Sequence, residues 1–299
     1  MIKRYNYFND YLKNKFGERT LKICIDGGFT CPNRDGKCGK GGCIFCGERG
    51  SGENTKSIDI STQVLNHLNS YRGKRANKFI AYFQNFSNTY ADIKTLKQKY
   101  DSALIDKRIV ALSVATRPDC INEEVVNLLK EYQKNYYVYV ELGFQTANEE
   151  VAKKFNRGYT NNDFVNAVTL LNKANIDIVT HIMVGLPFRQ ENDEINTVKF
   201  LNELNIMGVK IHSTYIIKNT GLEELYNKGI YKPLELDVYV DKVCNIISNL
   251  KKDIIICRIT GDSPKDLLVA PSWNSHKKII LNSINRALES RNFFQGDKL

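Results

Sequence analysis

Apolar and polar residues alternate along this chain in a pattern that predicts strands and helices in turn. Short runs of apolar, β-branched or aromatic residues predict seven strands, at 21–25, 78–83, 109–115, 136–142, 176–184, 209–215 and 254–259. Between them, apolar residues at the spacing of a helix face predict helices at 61–71, 93–104, 123–133, 163–174, 191–204 and 236–250. Nearly continuous apolar strands separated by helices are typical of a parallel sheet covered on both faces.

This alternation predicts an α/β fold, a partial (β/α)6 TIM-like barrel. Residues 1–235 would form the barrel, with an N-terminal loop at about 24–50, and residues 236–299 a short C-terminal extension packed on it. The active site of such a barrel lies at the carboxyl ends of its strands. Polar segments follow the predicted strands at 84–90, 116–119, 141–146, 185–187 and 212–215. We therefore expect candidate ligands to collect on one face.

Three cysteines, Cys31, Cys43 and Cys46, lie in the glycine-rich loop after the first predicted strand. Glycine permits the positive φ angles and close backbone approach that a ligating loop needs, and dense thiolates suit zinc or an iron–sulfur cluster. Three ligands would leave one position open for chemistry, whereas a fourth thiolate from Cys38 would close a structural zinc site. The residues alone leave both arrangements open.

The charge balance points to a polyanionic partner. The chain carries 43 basic and 33 acidic side chains, a formal net charge of +10. Such a surface attracts nucleic acid, although dispersed lysines are equally typical of a lysine-rich composition. No apolar run of about 18 residues predicts a membrane span, and the N-terminus lacks the apolar stretch of a secretion signal. Eight cysteines in a chain of this length do not suggest a disulfide framework, so we expect a reduced, cytoplasmic protein. The cysteines without a loop motif are expected to be buried small apolar residues: Cys24, Cys120, Cys244 and Cys257.

Seven short motifs occur in an order that resembles the radical S-adenosylmethionine (SAM) superfamily. The resemblance is narrower to its bacterial branch of the YtqA/YhcC type, which is similar to the elongator catalytic subunit. The motifs are Cys31-Pro-Asn-Arg-Asp-Gly, Gly42-Cys43-Ile-Phe-Cys46, Tyr82-Phe83-Gln84, Thr116-Arg117-Pro118-Asp119, Glu141-Leu142-Gly143-Phe144-Gln145-Thr146, Asn156-Arg157-Gly158 and Val184-Gly185-Leu186-Pro187. Each motif is short, but their joint order and register predict a barrel of the radical SAM type.

The resemblance implies that Cys31, Cys43 and Cys46 hold three irons of a [4Fe–4S] cluster, and that the fourth iron takes the amino and carboxylate groups of SAM. An electron from the cluster would cleave SAM to methionine and a 5′-deoxyadenosyl radical, with flavodoxin or ferredoxin as the electron donor. The commonest superfamily pattern has three residues between its first two cysteines. Eleven residues separate Cys31 from Cys43 here, and Cys38 in that gap is an alternative ligand.

The resemblance also implies a binding site for SAM along the strand ends. In related barrels a Gly-Gly-Glu-type turn after the second strand accepts hydrogen bonds from the SAM amino group. Here the polar side chains of Gln84, Ser87, Asn88 and Thr89 occupy that turn and offer the same chemistry. Gln145 has donors and acceptors that suit the ribose hydroxyls.

Several charged residues complete the predicted site. The planar guanidinium of Arg157 suits a bidentate contact with the methionyl carboxylate, and the alternative interpretation is a solvated helix end. Glu141 lies in an apolar run and therefore needs a partner or a ligand. Arg117 is its candidate partner, and the pair is interpreted either as catalytic or as a structural ion pair inside the barrel. His181 and His212 fall on predicted strands, where packing is the commoner role.

The substrate implied by the resemblance is tRNA, at the wobble uridine. Members of this branch resemble enzymes that remodel the substituent on carbon 5, for example shortening carboxymethylaminomethyl to aminomethyl. Two alternatives stay open. One is a radical SAM enzyme that acts on a substrate other than RNA, and the other is a zinc-stabilised nucleic-acid-binding protein without radical chemistry.

Overall fold

The computed structural model describes residues 2–50, 52, 55 and 57–299. Within them the strands are β1 (Thr20–Ile25), β2 (Lys78–Phe83), β3 (Ile109–Thr116), β4 (Tyr137–Gln145), β5 (Asp177–Val184), β6 (Gly208–Ser213), β7 (Ile216–Ile217), β8 (Ile255–Arg258) and β9 (Leu268–Ala270). Seven of them form a parallel sheet in the order β1-β2-β3-β4-β5-β6-β8, curled into a half-barrel. The predicted α/β class and the partial TIM-like barrel are therefore confirmed.

Helices connect the parallel strands. They are α1 (Phe8–Phe16), α2 (Ile60–Asn69), α3 (Ile93–Ala103), α4 (Glu123–Gln133), α5 (Glu149–Lys154), α6 (Asn161–Lys173), α7 (Asp193–Asn202), α8 (Gly221–Asn227), α9 (Leu236–Asn249) and α10 (Lys277–Ser290). Helix α4 illustrates the local rules: the Asn122 side chain accepts from the Val125 amide, and two glutamates lie in the first turn, where the helix dipole favours negative charge. Its apolar face packs in the main core.

The two faces of the sheet have different surroundings. The outer face packs under the helices as the main apolar core, which includes Phe79, Val140 and Ile178. Residues one position away, such as Ile80, Tyr139 and Val179, point to the concave side, which we call the lumen, because side chains alternate along a strand. Phe8 and Leu12 of α1 pack against this second group, so α1 closes the amino-terminal end of the lumen.

The C-terminal part of the chain contributes to the barrel itself. Strand β8 lies beyond residue 235 and pairs in parallel with β6. The boundary predicted between 235 and 236 thus stays a prediction, with a strand of the sheet on its far side. The strand predicted at 209–215 ends at Ser213, and residues 216–217 pair instead with β9 in a small antiparallel sheet. No helix in the described part of the chain combines the length and apolar character needed to cross a bilayer.

Candidate functional site

The three predicted cluster ligands lie in the loop that follows β1. Between the second and third of these cysteines, Ile44 and Phe45 attach the loop to the rest of the protein. The Ile44 amide donates to the Phe155 carbonyl at 3.1 Å, and the Ile44 carbonyl accepts from the Leu222 amide at 2.8 Å. The Phe45 ring packs against the Phe155 ring with centroids 5.3 Å apart. Two backbone hydrogen bonds and one ring contact therefore hold the loop against Phe155 and α8.

The thiols of Cys43 and Cys46 interact directly. A hydrogen bond with Cys43 lowers the pKa of Cys46, against the opposing effect of burial, and Arg34 and Arg117 lower it further. The same hydrogen bond and burial raise the pKa of Cys43 well above its usual range, so Cys46 is the thiol of the pair that ionises first. A lowered pKa favours the thiolate, which is the form that binds metals. The loop therefore offers a donor set that suits a soft metal centre.

Cys38 differs from these three residues. It is exposed, and its thiol lies 3.8 Å from the Asp119 carboxylate. Desolvation and the Asp119 charge raise the pKa of Cys38, which disfavours the thiolate. Among the described residues, no three Cys, His, Asp or Glu side chains converge closely enough for one metal ion. A [4Fe–4S] cluster does not require such convergence, because each cysteine binds a different iron.

The Asn156-Arg157-Gly158 turn clamps the cysteine loop. Asn33 Nδ2 donates to the Asn156 carbonyl at 2.6 Å, and Asn156 Nδ2 donates to the Gly42 carbonyl at 2.8 Å. Gly158 has a φ of 75°, and a Cβ there would lie 2.8 Å from Asn33 Oδ1. This position therefore requires glycine for both backbone conformation and space.

Arg117, predicted as catalytic, joins β3 to the same turn. Its Nε and Nη2 donate to the two carboxylate oxygens of Asp119 at 2.9 and 2.7 Å. Its Nη1 donates to the Arg157 carbonyl at 2.9 Å, and Nη2 also contacts the Gly158 carbonyl at 3.3 Å. Only 8% of Arg117 is exposed. The observed contacts position the turn, and a catalytic role for Arg117 stays a prediction.

Arg157 is 1% exposed, and all three guanidinium nitrogens have protein partners. Its Nη1 donates to the Phe144 and Thr146 carbonyls at 3.1 and 2.8 Å. Its Nη2 donates to Asn161 Oδ1 at 3.0 Å, and Nε donates to the Tyr159 carbonyl at 3.0 Å. A bidentate contact with the SAM carboxylate would compete with these bonds. The geometry favours a structural role, and the predicted SAM contact stays untested.

Two of the four predicted SAM contacts in the turn after β2, Thr89 and Asn88, differ in their free hydrogen-bonding capacity. Thr89 Oγ1 donates to the Cys120 carbonyl at 2.8 Å and lies 2.6 Å from Thr116 Oγ1, so its hydroxyl is engaged. Asn88 Nδ2 donates to the Ala115 carbonyl at 2.7 Å, but Asn88 Oδ1 is buried without a hydrogen-bond partner in the described structure. Buried polar atoms are normally paired. Asn88 Oδ1 thus fits a site that takes a further hydrogen-bond donor.

The remaining predicted SAM contacts lie around the same mouth. Gln84 follows β2 and is half-buried, whereas Ser87 is fully buried. Gln145 ends β4 with a φ of 64°, and its Oε1 accepts from the Tyr159 hydroxyl at 3.0 Å. The Tyr159 hydroxyl also lies 2.6 Å from the Gly143 carbonyl. Tyr159 is therefore a residue of the mouth that the sequence did not single out.

The predicted pairing of Glu141 with Arg117 is wrong. Glu141 is fully buried, and its Oε1 accepts from Lys22 Nζ at 2.7 Å. Its Oε2 lies 2.8 Å from His181 Nε2 and is also bound by Lys210 Nζ. Arg117 lies beyond the end of β3 and pairs with Asp119 instead. The expectation that Glu141 needs a partner was sound, but parallel-strand register decided which residues are level with it.

These contacts define a charged layer in the lumen: Lys22, Tyr82, Glu141, His181 and Lys210. Burial alone would raise the pKa of Glu141, but Lys210 and Lys22 hold it well below its usual range. Burial lowers the pKa of Lys210 to about 7 and that of His181 to about 4. Glu141 is therefore ionised and His181 neutral at physiological pH, so His181 donates its Nε2–H to the carboxylate.

The lysines of the charged layer carry a signal in the sequence. Lys22 and Lys210 each interrupt an apolar strand run, as Glu141 does. A charge at such a position must find a partner within the barrel. Reading all three interruptions together would have predicted a lumen ion cluster, although not its contacts.

Cys24 lies two residues beyond Lys22 on the same face of β1 and is exposed, which corrects the expectation that it is buried. The alternation continues at the carboxyl ends of other strands, where the half-exposed residues include His181, Met183 and His212. The carboxyl-terminal half of the lumen is therefore open to solvent.

Comparison with known proteins agrees with this geometry. The model of the radical SAM superfamily matches residues 33–201, and that of the radical SAM C-terminal domain matches residues 206–290. The chain is similar to protein YtqA of Bacillus subtilis, at 39% identity over 297 residues that cover 98% of this chain and 92% of YtqA.

Two further likenesses are to proteins of Methanocaldococcus species. A tRNA uridine(34) acetyltransferase of Methanocaldococcus jannaschii is 29% identical over 167 residues, which cover 55% of this chain and 30% of that protein. The solved structure of Elp3 from Methanocaldococcus infernus superposes with a TM-score of 0.70 at 19% identity, covering 92% of this chain and 64% of that one. This second likeness concerns the fold alone.

Proposed function

The chain belongs to the radical SAM superfamily, and from that premise we propose that it modifies the C5 substituent of the wobble uridine in tRNA. Family membership implies a [4Fe–4S] cluster and SAM as cofactors. When bound, they supply one-electron cleavage of the sulfonium and abstraction of a hydrogen atom from the substrate. The zinc-stabilised binding protein without radical chemistry is set aside by the family match. The remaining alternative is a radical SAM enzyme with a substrate other than RNA.

The cysteine loop is the observation that carries the radical SAM chemistry for this chain. Cys31, Cys43 and Cys46 are the residues proposed to hold the cluster, because they share one loop that the turn at 156–158 holds in place, and Cys43 and Cys46 lie close enough to interact. Cys38 is not included, since its exposed thiol faces the negative charge of Asp119. Asn88 Oδ1 is the proposed acceptor for the SAM amino group, because it is buried and lacks a partner among the described residues.

The proposed substrate rests on relatives and on charge. The M. jannaschii relative is named as an enzyme of tRNA uridine 34, but the match covers 30% of its length. A net charge of +10 supports binding to a polyanion. We propose shortening of carboxymethylaminomethyl to aminomethyl as the reaction, and a small redox protein such as flavodoxin or ferredoxin as the electron donor.

Nucleoside mass spectrometry of tRNA tests this proposal. Cells that lack the protein should accumulate carboxymethylaminomethyluridine and lose aminomethyl-derived nucleosides at the wobble position. Wild-type protein should restore the normal pattern, and a Cys43→Ala variant should not. Unchanged wobble uridines in the deleted strain would refute the tRNA substrate while leaving the radical SAM family in place.

A further inference from the structure

The charged layer in the lumen has more positive than negative groups. Lys22 and Lys210 both bind the carboxylate of Glu141. The nearby Arg258 is paired with Asp262 at 3.0 Å, and Asp177, at the start of β5, is hydrogen-bonded by the Tyr137 hydroxyl. Two lysines thus share one carboxylate, and a buried positive charge in excess is costly unless an anion compensates it.

Lys22 has unused capacity to bind an anion. An ammonium group has three donors, and in the described structure Lys22 Nζ gives one of them to an oxygen, that of Glu141. The same Nζ otherwise lies over the rings of Phe8, Tyr82 and Tyr139, at 4.6 to 5.3 Å. Its side chain is 21% exposed, so protein groups do not enclose Lys22 completely.

His212, on the same face of the sheet, carries a polar atom without a partner in the described structure. His212 Nε2 is buried and has no hydrogen-bond partner among the described residues. The His212 ring lies 5.0 Å from the ring of His181, which belongs to the charged layer. The lumen therefore has an ammonium group with donors to spare and, next to the charged layer, an imidazole nitrogen without a partner among the described residues.

We propose that Lys22 binds an anionic group of the substrate, and that this group is the carboxylate of the carboxymethylaminomethyl substituent. Lys210, which shares Glu141 with Lys22, would add to the positive charge at this subsite. This inference rests on the proposed function and names the part of the substrate that enters the lumen. Charge complementarity supports it, since a carboxylate would balance the second lysine as Glu141 balances the first. Burial lowers the pKa of Lys210 to about 7, in keeping with a cluster that has one cation too many when no anion is bound.

Binding of synthetic anticodon stem-loops tests this inference. One stem-loop carries carboxymethylaminomethyluridine at the wobble position, and the other carries the corresponding amide, which has the same shape without the carboxylate. Fluorescence anisotropy is measured with cluster-loaded enzyme and SAM but without reductant, so that no turnover occurs. Phosphate contacts are identical in the two RNAs, and their affinity ratio therefore isolates the carboxylate.

Wild-type enzyme should bind the acid about tenfold more tightly than the amide, the effect of one charge-assisted hydrogen bond. Lys22→Met should reduce that ratio to about 1, and Lys22→Arg should restore part of it. Lys22→Met leaves Glu141 paired with Lys210 and His181, so the fold should survive; Lys210→Met is the second variant. Lys97→Met is the matched control, because Lys97 is exposed and pairs with Asp101 on α3.

Two outcomes overturn the inference in distinguishable ways. If wild-type enzyme with reductant converts the carboxymethylaminomethyl group but both lysine variants keep the affinity ratio, the subsite is wrong and the proposed function stands. If wild-type enzyme neither converts that group nor distinguishes the acid from the amide, both proposals fall.

Discussion

Replacement of Glu141 by glutamine should destabilise the protein by about 3 kcal/mol. The two side chains have nearly the same shape, so the substitution removes the charge and little else. Glu141 is fully buried and accepts from Lys22, Lys210 and His181. An amide cannot balance two ammonium groups, and loss of one partner from a buried ion pair typically costs about 3 to 5 kcal/mol.

The lower end of that range applies because Lys210 can release its proton. Its pKa is already lowered to about 7 by burial, so deprotonation relieves part of the excess positive charge in the variant. At about 2 °C per kcal/mol for a chain of this length, Tm should fall by about 6 °C. Anaerobically prepared proteins compared by circular dichroism at pH 7.5 provide the measurement. Glu150→Gln is the control, since Glu150 is exposed and its pair with Lys153 should contribute less than about 0.5 kcal/mol.

The pH dependence of the stability difference between wild type and Glu141→Gln supplies a second check, because its direction is known in advance. Lys210 and Lys22 hold the pKa of Glu141 below its ordinary value of 4.5, against the effect of burial. The unfolded chain therefore takes up this proton at a higher pH than the folded protein. The free energy of unfolding of wild type should exceed that of Glu141→Gln by the full amount above pH 4.5, and the difference should shrink as the pH falls below 4.5. A variant as stable as the Glu150→Gln control, or a difference that does not narrow in acid, would refute the assigned ion cluster.

Three further predictions concern the cysteine loop and the lumen. Cys43→Ala should abolish iron binding whereas Cys38→Ala should retain it, as measured by iron and sulfide content after anaerobic reconstitution; the opposite result would reverse the ligand assignment. In wild type, the folded protein loses the Lys210 proton near pH 7 and the unfolded chain keeps it up to about 10.5, so the unfolding free energy should rise between these pH values. Lys210→Met should remove this rise, as measured by urea titrations at several pH values. The same pH dependence in wild type and variant would contradict the prediction. Gly158→Ala should cost about 1 to 3 kcal/mol, because its φ is 75° and its Cβ would meet Asn33 Oδ1 at 2.8 Å, and a variant with unchanged Tm and iron content would show that the turn does not clamp the loop.

The order of strands and helices could be predicted because the outer face of the sheet is nonpolar over most of its length and the inner face is nonpolar at its amino-terminal end. Each run of apolar residues had to be buried, and the helical segments between them had to cover it. Helix α1 was not predicted, although Phe8 and Leu12 close the amino-terminal end of the lumen. Its role depends on packing against strands far along the chain, which a local pattern does not contain.

The side-chain contacts of the site were harder to predict than its location. The sequence placed Glu141 on a strand and implied a partner, but the register of β1, β4, β5 and β6 decides which charges are level with it, and that register is a tertiary property. Arg157 illustrates the opposite difficulty. A planar cation near a strand end suits a carboxylate ligand, yet it equally suits carbonyl groups of the protein, and here Phe144 and Thr146 supply those.

The inner face of the sheet changes along the lumen from apolar residues at the amino-terminal end to charged residues in the middle. At the amino-terminal end Tyr139 and Val179 pack against α1. In the middle the charged layer surrounds Glu141, and beyond the strand ends the cysteine loop forms the mouth. A charged layer buried in this way is costly, and the apolar outer core, formed independently by alternate residues of the same strands, offsets that cost. Substitutions on the outer face should therefore change stability alone, whereas those on the inner face, such as Glu141→Gln, should change stability and the charge of the lumen together.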